Sequence, residues 1–110
     1  MIAVSSDTKY CATKNENCPT YVWIWDLTNF VLNSIIIQKH EVIDLKFSPK
    51  LLNLNIATGD GKIYNWSPKG ASICEVPVNK QNFCVNEILW NPNGKNFAAL
   101  DKNGLVFVYP

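Results

Sequence analysis

"YVWIWDLTNF", residues Tyr21 to Phe30, closes an apolar run on Trp25-Asp26 and turns polar at Thr28-Asn29. Trp23 and Trp25 sit two apart, so in an extended chain they share a face. Two later stretches close in a comparable way. "IYNWSP" (63–68) ends its run on Trp66-Ser67, and "VFVYP" (106–110) on Tyr109-Pro110. Trp25 to Trp66 is 41 residues, and Trp66 to Tyr109 is 43. A second set of anchors keeps the same spacing. "VSSDTKYCATKN" from Val4, "FSPKLLNLNIATGD" from Phe47 and "WNPNGKNFAALDKNG" from Trp90 each hold a strand end, a turn, and a short strand with Ala-Thr or Ala-Ala. Val4 to Phe47 and Phe47 to Trp90 are both 43 residues.

Within each repeat the apolar residues alternate with period two and do not settle into a helical period. Val42, Asp44 and Lys46 interleave with Ile43, Leu45 and Phe47; Lys62 to Trp66 alternates too. Turn chemistry separates the runs: Asn15–Pro19, Ser48-Pro49-Lys50, Gly59-Asp60-Gly61, Ser67-Pro68-Lys69-Gly70, Asn91–Gly94 and Lys102-Asn103-Gly104. This pattern predicts strands at Ile2–Ser5, Lys9–Thr13, Tyr21–Asp26, Val31–Ile37, Val42–Ser48 and Leu54–Thr58. It continues with Lys62–Ser67, Ser72–Val78, Val85–Asn91, Asn96–Asp101 and Leu105–Tyr109. The fold class is all-β. Four short strands repeated about every 40–45 residues is the period of a WD-repeat propeller blade. One such sheet cannot bury both faces alone, and radial stacking solves that.

The expected architecture is a partial WD-repeat β-propeller of about two and two-thirds antiparallel four-stranded blades. Residues 1–37 form an incomplete first blade, 38–78 a complete second, and 79–110 an incomplete third without its outer strand. The expectation is a piece of a larger propeller that would not fold as a stable monomer, because blade faces and edges would stay open.

Bulk properties narrow the functions. The chain has 110 residues, 47% apolar and only 17% charged, with a formal net charge of +1. That is not the composition of a disordered segment. Lys39, Lys46, Lys62, Lys80 and Lys95 are dispersed, so no basic patch argues for nucleic acid or an anionic membrane. No run of about 18 apolar residues argues for a membrane-spanning helix. Cys11, Cys18, Cys74 and Cys84 contain no CxxC pair, which argues against zinc and for four reduced thiols in a cytosolic chain.

No catalytic, metal or cofactor constellation emerges. His40 is the sole histidine and reads as a structural hydrogen-bonding residue before a strand, not as a general base. Gly59-Asp60-Gly61-Lys62 is a hairpin turn, since a phosphate loop would lead into a helix. Asp60 alone supplies too few ligands for calcium. Trp23, Trp90, Phe107 and Tyr109 lack the interleaved basic residues of a single-strand binder, and read as packing.

The Trp25-Asp26 ending and the repeat period resemble the WD-repeat family. That resemblance implies an aromatic filler between blades at Trp25, Trp66 and Tyr109, with Asp26 at the strand exit. It also implies an inner hydrogen-bonded set of His40, Thr58, Asp60 and Trp66 in the middle repeat, of which the Asp60–Trp66 half keeps the family spacing. Lys39 stands where that family carries Gly, and Pro19 and Asn103 stand where the outer repeats would need Asp.

Two longer runs, "YCATKNENCPTYVWIWDL" and "IATGDGKIYNWSPKGASICEVPV", are similar to the C-terminal repeats of the WRAP-type centrosomal WD-repeat proteins. This implies a non-enzymatic scaffold in the cytoplasm and cytoskeleton, at the centrosome or spindle pole, that anchors microtubules and supports cilium and centriole assembly. Its implied partners are other proteins: a coiled-coil spindle-anchoring protein and, in fungi, a minus-end-directed kinesin. The alternative is a WD-repeat subunit of an unrelated complex in RNA processing, ubiquitin ligation or trafficking.

Overall fold

The computed structural model describes residues 1–75, 84–101 and 106–109. Among these lie eleven strands and no helix. The first sheet, in the order β1-β2-β3-β4, comprises β1 (Ile2–Val4), β2 (Tyr10–Asn15), β3 (Cys18–Asp26) and β4 (Val31–Ile37). The second comprises β5 (Asp44–Phe47), β6 (Leu54–Ala57), β7 (Lys62–Ser67) and β8 (Gly70–Glu75), also in chain order. The third pairs β9 (Val85–Trp90), β10 (Phe97–Asp101) and β11 (Val106–Tyr109). Every pairing is antiparallel. The first strands of the sheets lie side by side, β5 touching both β1 and β9, so the sheets stack like neighbouring blades.

Each expected strand has a counterpart, and the differences sit at the ends. β3 begins at Cys18 and includes Pro19, because β2 and β3 turn tightly through Glu16-Asn17. Proline is tolerated where its missing N–H costs no ladder bond, and the Pro19 carbonyl accepts the Val42 N–H of the next sheet at 2.9 Å. β5 starts at Asp44, two residues later than expected: the Val42 N–H goes to the Pro19 carbonyl of the first sheet, while the Ile43 N–H still bonds the Ala57 carbonyl at the end of β6 at 2.7 Å. The expected end of the eighth strand at Val78 and the start of the eleventh at Leu105 lie outside the described residues.

The register unifies the two sets of sequence anchors. Val4 pairs with Cys11, Cys11 with Trp25, and Trp25 with Leu32. Phe47, Leu54, Trp66 and Ala71 form the same rung in the second sheet, and Trp90, Phe97 and Tyr109 in the third. The anchor residues are therefore cross-strand neighbours by backbone register, the unit that stabilises a sheet.

Alternation divides the second sheet between two cores, one toward each neighbouring sheet. Ala12, Val22 and Ile24 of the first sheet pack against Val42, Leu45, Leu54, Ile56 and Trp66. The opposite face of the second sheet, through Ala57, Ile63 and Cys74, packs against Val85, Ile88, Phe97, Ala99 and Trp90. Polar contacts pin the same interfaces. The buried Lys14 Nζ donates to the Val42 carbonyl at 2.9 Å and lies 3.6 Å from the Glu41 carboxylate. Asp44 Oδ2 accepts the Ile88 N–H at 2.8 Å, and Trp90 Nε1 donates to the Lys46 carbonyl at 3.0 Å. Ser48 Oγ donates to the Gly94 carbonyl at 2.9 Å.

Candidate interaction surface

The face of the first sheet turned away from the second carries Ile2, Val4, Cys11, Thr13, Tyr21, Trp23, Trp25, Leu32, Ile35 and Ile37, by the register of its four strands. Trp25 is 38% exposed, Ile2 71% and Ile37 65%. In the second sheet the register-equivalent residues of Cys11, Thr13 and Trp25 are Leu54, Ile56 and Trp66, which are 0%, 0% and 6% exposed beneath the first sheet. One face design thus occurs twice, once covered and once open. An open groove of about 680 Å³ crosses the uncovered copy, lined by Met1, Ile2, the segment Thr13–Asn17, Trp23 and Trp25. Trp23 and Trp25 line it together, as strand alternation requires.

Trp25 is held in place by a bond that the sequence reading did not find. Its Nε1 donates to Thr13 Oγ1 at 3.0 Å. Thr13 stands two residues beyond Cys11, the cross-strand partner of Trp25, and so on the same face. The residue two beyond Leu54, the partner of Trp66, is Ile56 and not Thr58. Ile56 offers no acceptor, so the Trp–Thr contact exists only in the first repeat among the described residues.

The expected set in the middle repeat is placed differently. His40 is exposed, and no hydrogen bond joins it to Thr58, Asp60 or Trp66. Thr58 is buried past the end of β6. Asp60 Oδ1 instead accepts the Lys62 N–H at 3.0 Å, and the Asp60 carbonyl accepts the Val85 N–H of the third sheet at 2.8 Å. Asp60 therefore closes its own hairpin and docks the next sheet. Gly59 just before it has φ +78°, and a Cβ there would lie 2.6 Å from Ile43 Cδ1. The Ile43 methyl can move aside, so it is the positive φ that favours glycine here. Trp66 fills the space between the first two sheets, edge-on to Tyr10. The side chain of Tyr109 lies outside the described residues.

Asp26 caps the turn after β3. Its Oδ1 accepts the Thr28 and Asn29 N–H groups at 2.8 and 3.2 Å, and its Oδ2 accepts Asn29 Nδ2 at 3.1 Å. The Asn29 backbone and side-chain bonds, with that from Thr28, hold its carboxyl below the ordinary value. Asp7 acts similarly in the β1–β2 turn through the Ser5 hydroxyl and the Lys9 N–H. Among the described residues no group of three His, Cys, Asp or Glu side chains converges.

No family model matches the chain. The mouse protein WD repeat-containing protein WRAP73 is 35% identical over 103 residues, covering 94% of this chain. The repeats are WD repeats. An uncharacterised WD repeat-containing protein of Schizosaccharomyces pombe is 25% identical over 100 residues, covering 81% of the chain. The chain spans 22% and 21% of the lengths of these relatives. The WD-repeat chain is thus all-β, with three stacked antiparallel sheets corresponding to blades of a propeller.

Proposed function

We propose that this WD-repeat chain forms part of a propeller acting as a non-enzymatic scaffold for other proteins. Residues 1–37, 38–78 and 79–110 serve as successive blades. Further blades of the same protein cover the outer face of the first sheet. The observation carrying this reading is the paired face design, buried around Trp66 and open around Trp25. Stacked sheets create broad rigid surfaces whose loops can differ without disturbing the cores.

The finer reading places the scaffold at the centrosome or spindle pole. There it would anchor microtubules and support cilium and centriole assembly through a coiled-coil partner and, in fungi, a minus-end-directed kinesin. Its support is the similarity to WRAP73 across almost the whole chain. The test is the tagged full-length protein imaged in dividing and ciliated cells. Foci at spindle poles and basal bodies are expected. A diffuse or nuclear signal would remove the centrosomal reading and leave the propeller scaffold standing.

A further inference from the structure

The chain contains the tripeptide Ser-Pro-Lys twice, at Ser48-Pro49-Lys50 and Ser67-Pro68-Lys69. The fold treats the copies oppositely. Ser48 is 1% exposed. Its Oγ donates to the Gly94 carbonyl of the third sheet and accepts the Lys50 and Leu51 N–H groups at 3.3 and 3.0 Å. That hydroxyl is committed to an interface between sheets. Ser67, half-buried, ends β7 at a hairpin whose next residues, Pro68, Lys69 and Gly70, are exposed. Its Oγ makes one exposed bond, to the Gly70 carbonyl at 3.2 Å. Ser67, Pro68 and Lys69 border an open depression of about 330 Å³ with Leu51, Leu52 and Asn53.

The repeat itself shows what this corner can hold. Ser67 follows Trp66 as Asp26 follows Trp25, and the two tryptophans occupy the same rung of their sheets. In the first repeat this position carries a carboxylate that accepts N–H groups of the turn. An anion immediately after the tryptophan therefore suits the architecture.

We propose that Ser67 is a phosphorylation site for a proline-directed serine/threonine kinase. Ser67 Oγ attacks the γ-phosphorus of ATP while its proton passes to the kinase's base. The bond from the γ-phosphorus to the bridging oxygen breaks, and ADP leaves. The bond to the Gly70 carbonyl is given up. The phosphate restores an acceptor where the first repeat has Asp26, with the Lys69 N–H and ammonium as the nearest donors in sequence. Lys69 just after the Ser-Pro pair adds a positive charge to the segment offered to the kinase. Pro68 presents no N–H, which suits an enzyme pocket that accepts proline after the serine.

The test treats the full-length protein with ATP and a purified cyclin-dependent kinase, once native and once denatured, and maps sites by tandem mass spectrometry. Native protein is expected to gain phosphate at Ser67 at least about ten-fold faster than at Ser48, because Ser48 needs local opening first. The two rates should converge in the denatured chain. Ser67→Ala should abolish the Ser67 phosphopeptide. No phosphate at Ser67 in the native protein would overturn the proposal, whether or not the denatured chain is modified. So would a native Ser48 rate equal to that of Ser67. The comparison within one wild-type sample stands even if a variant fails to fold.

Discussion

Trp66 of the second sheet meets Tyr10 of the first edge-on, with ring centroids 5.6 Å apart and planes at 66°. This contact between sheets shows what the third-strand tryptophan does. It stands on the rung of Phe47 and Leu54 and closes the space toward the preceding sheet. Replacing it with alanine in the full-length protein should cost about 3–5 kcal/mol, the usual result of emptying an aromatic site. Trp66→Phe should recover much of that. Urea unfolding checks both, and a loss below about 1 kcal/mol for the alanine variant would show that the contact is not structural.

Asp44 links the second sheet to the third by accepting the Ile88 N–H at 2.8 Å. Asp44→Ala leaves that amide without its acceptor, a loss of about 1–3 kcal/mol if water cannot enter. Amide hydrogen exchange should show faster exchange at Ile88 and through β9, with β2 and β3 unchanged. Uniform loss of protection would mean that the sheets do not open separately.

Gly94 has φ +75°, and a Cβ there would collide with Lys50 Cβ and lie 2.9 Å from Ser48 Oγ. Gly94→Ala combines a disfavoured backbone with a clash against the second sheet. It should destabilise by more than about 1 kcal/mol, read as a lower denaturation midpoint.

The Asp26 carboxyl should titrate below its ordinary value of 3.8, because Asn29 and Thr28 donate to its charged form. A depressed folded value gives stability that is fully present above the unfolded value and lost as pH falls through the folded one. The cap should therefore weaken as the pH falls below 3.8 and through the folded value. NMR titration of the carboxyl checks the midpoint, and Asn29→Ala should move it part of the way back toward 3.8.

Much of the fold was legible because strands, turns and repeat spacing are all local signals. The rung Val4–Cys11–Trp25 and its counterparts follow from anchors visible in the sequence. The inner hydrogen-bonded set was not legible, and Thr58 shows why. The 43-residue anchor spacing sets Thr13 against Ile56, as in the structure, while the Ala-Thr likeness of Ala12-Thr13 and Ala57-Thr58 runs two residues longer. A shift of two leaves every side chain on its original face, so the apolar pattern does not expose it. Only the cross-strand partner of each tryptophan reveals that Thr13 bonds Trp25 while Trp66 faces Ile56. His40, which the family resemblance assigns to that set, is exposed between β4 and β5.

The outer face of the first sheet serves, as proposed, as a blade interface. Hydroxyl-radical footprinting of the full-length protein tests it directly, by comparing the oxidation rates of Trp25 and Trp66. Trp25 is 38% exposed in the 110-residue chain and Trp66 6%. In the full-length protein Trp25 should be protected to the level of Trp66. A Trp25 rate that stays well above that of Trp66 in the same full-length sample would mean that no blade covers this face.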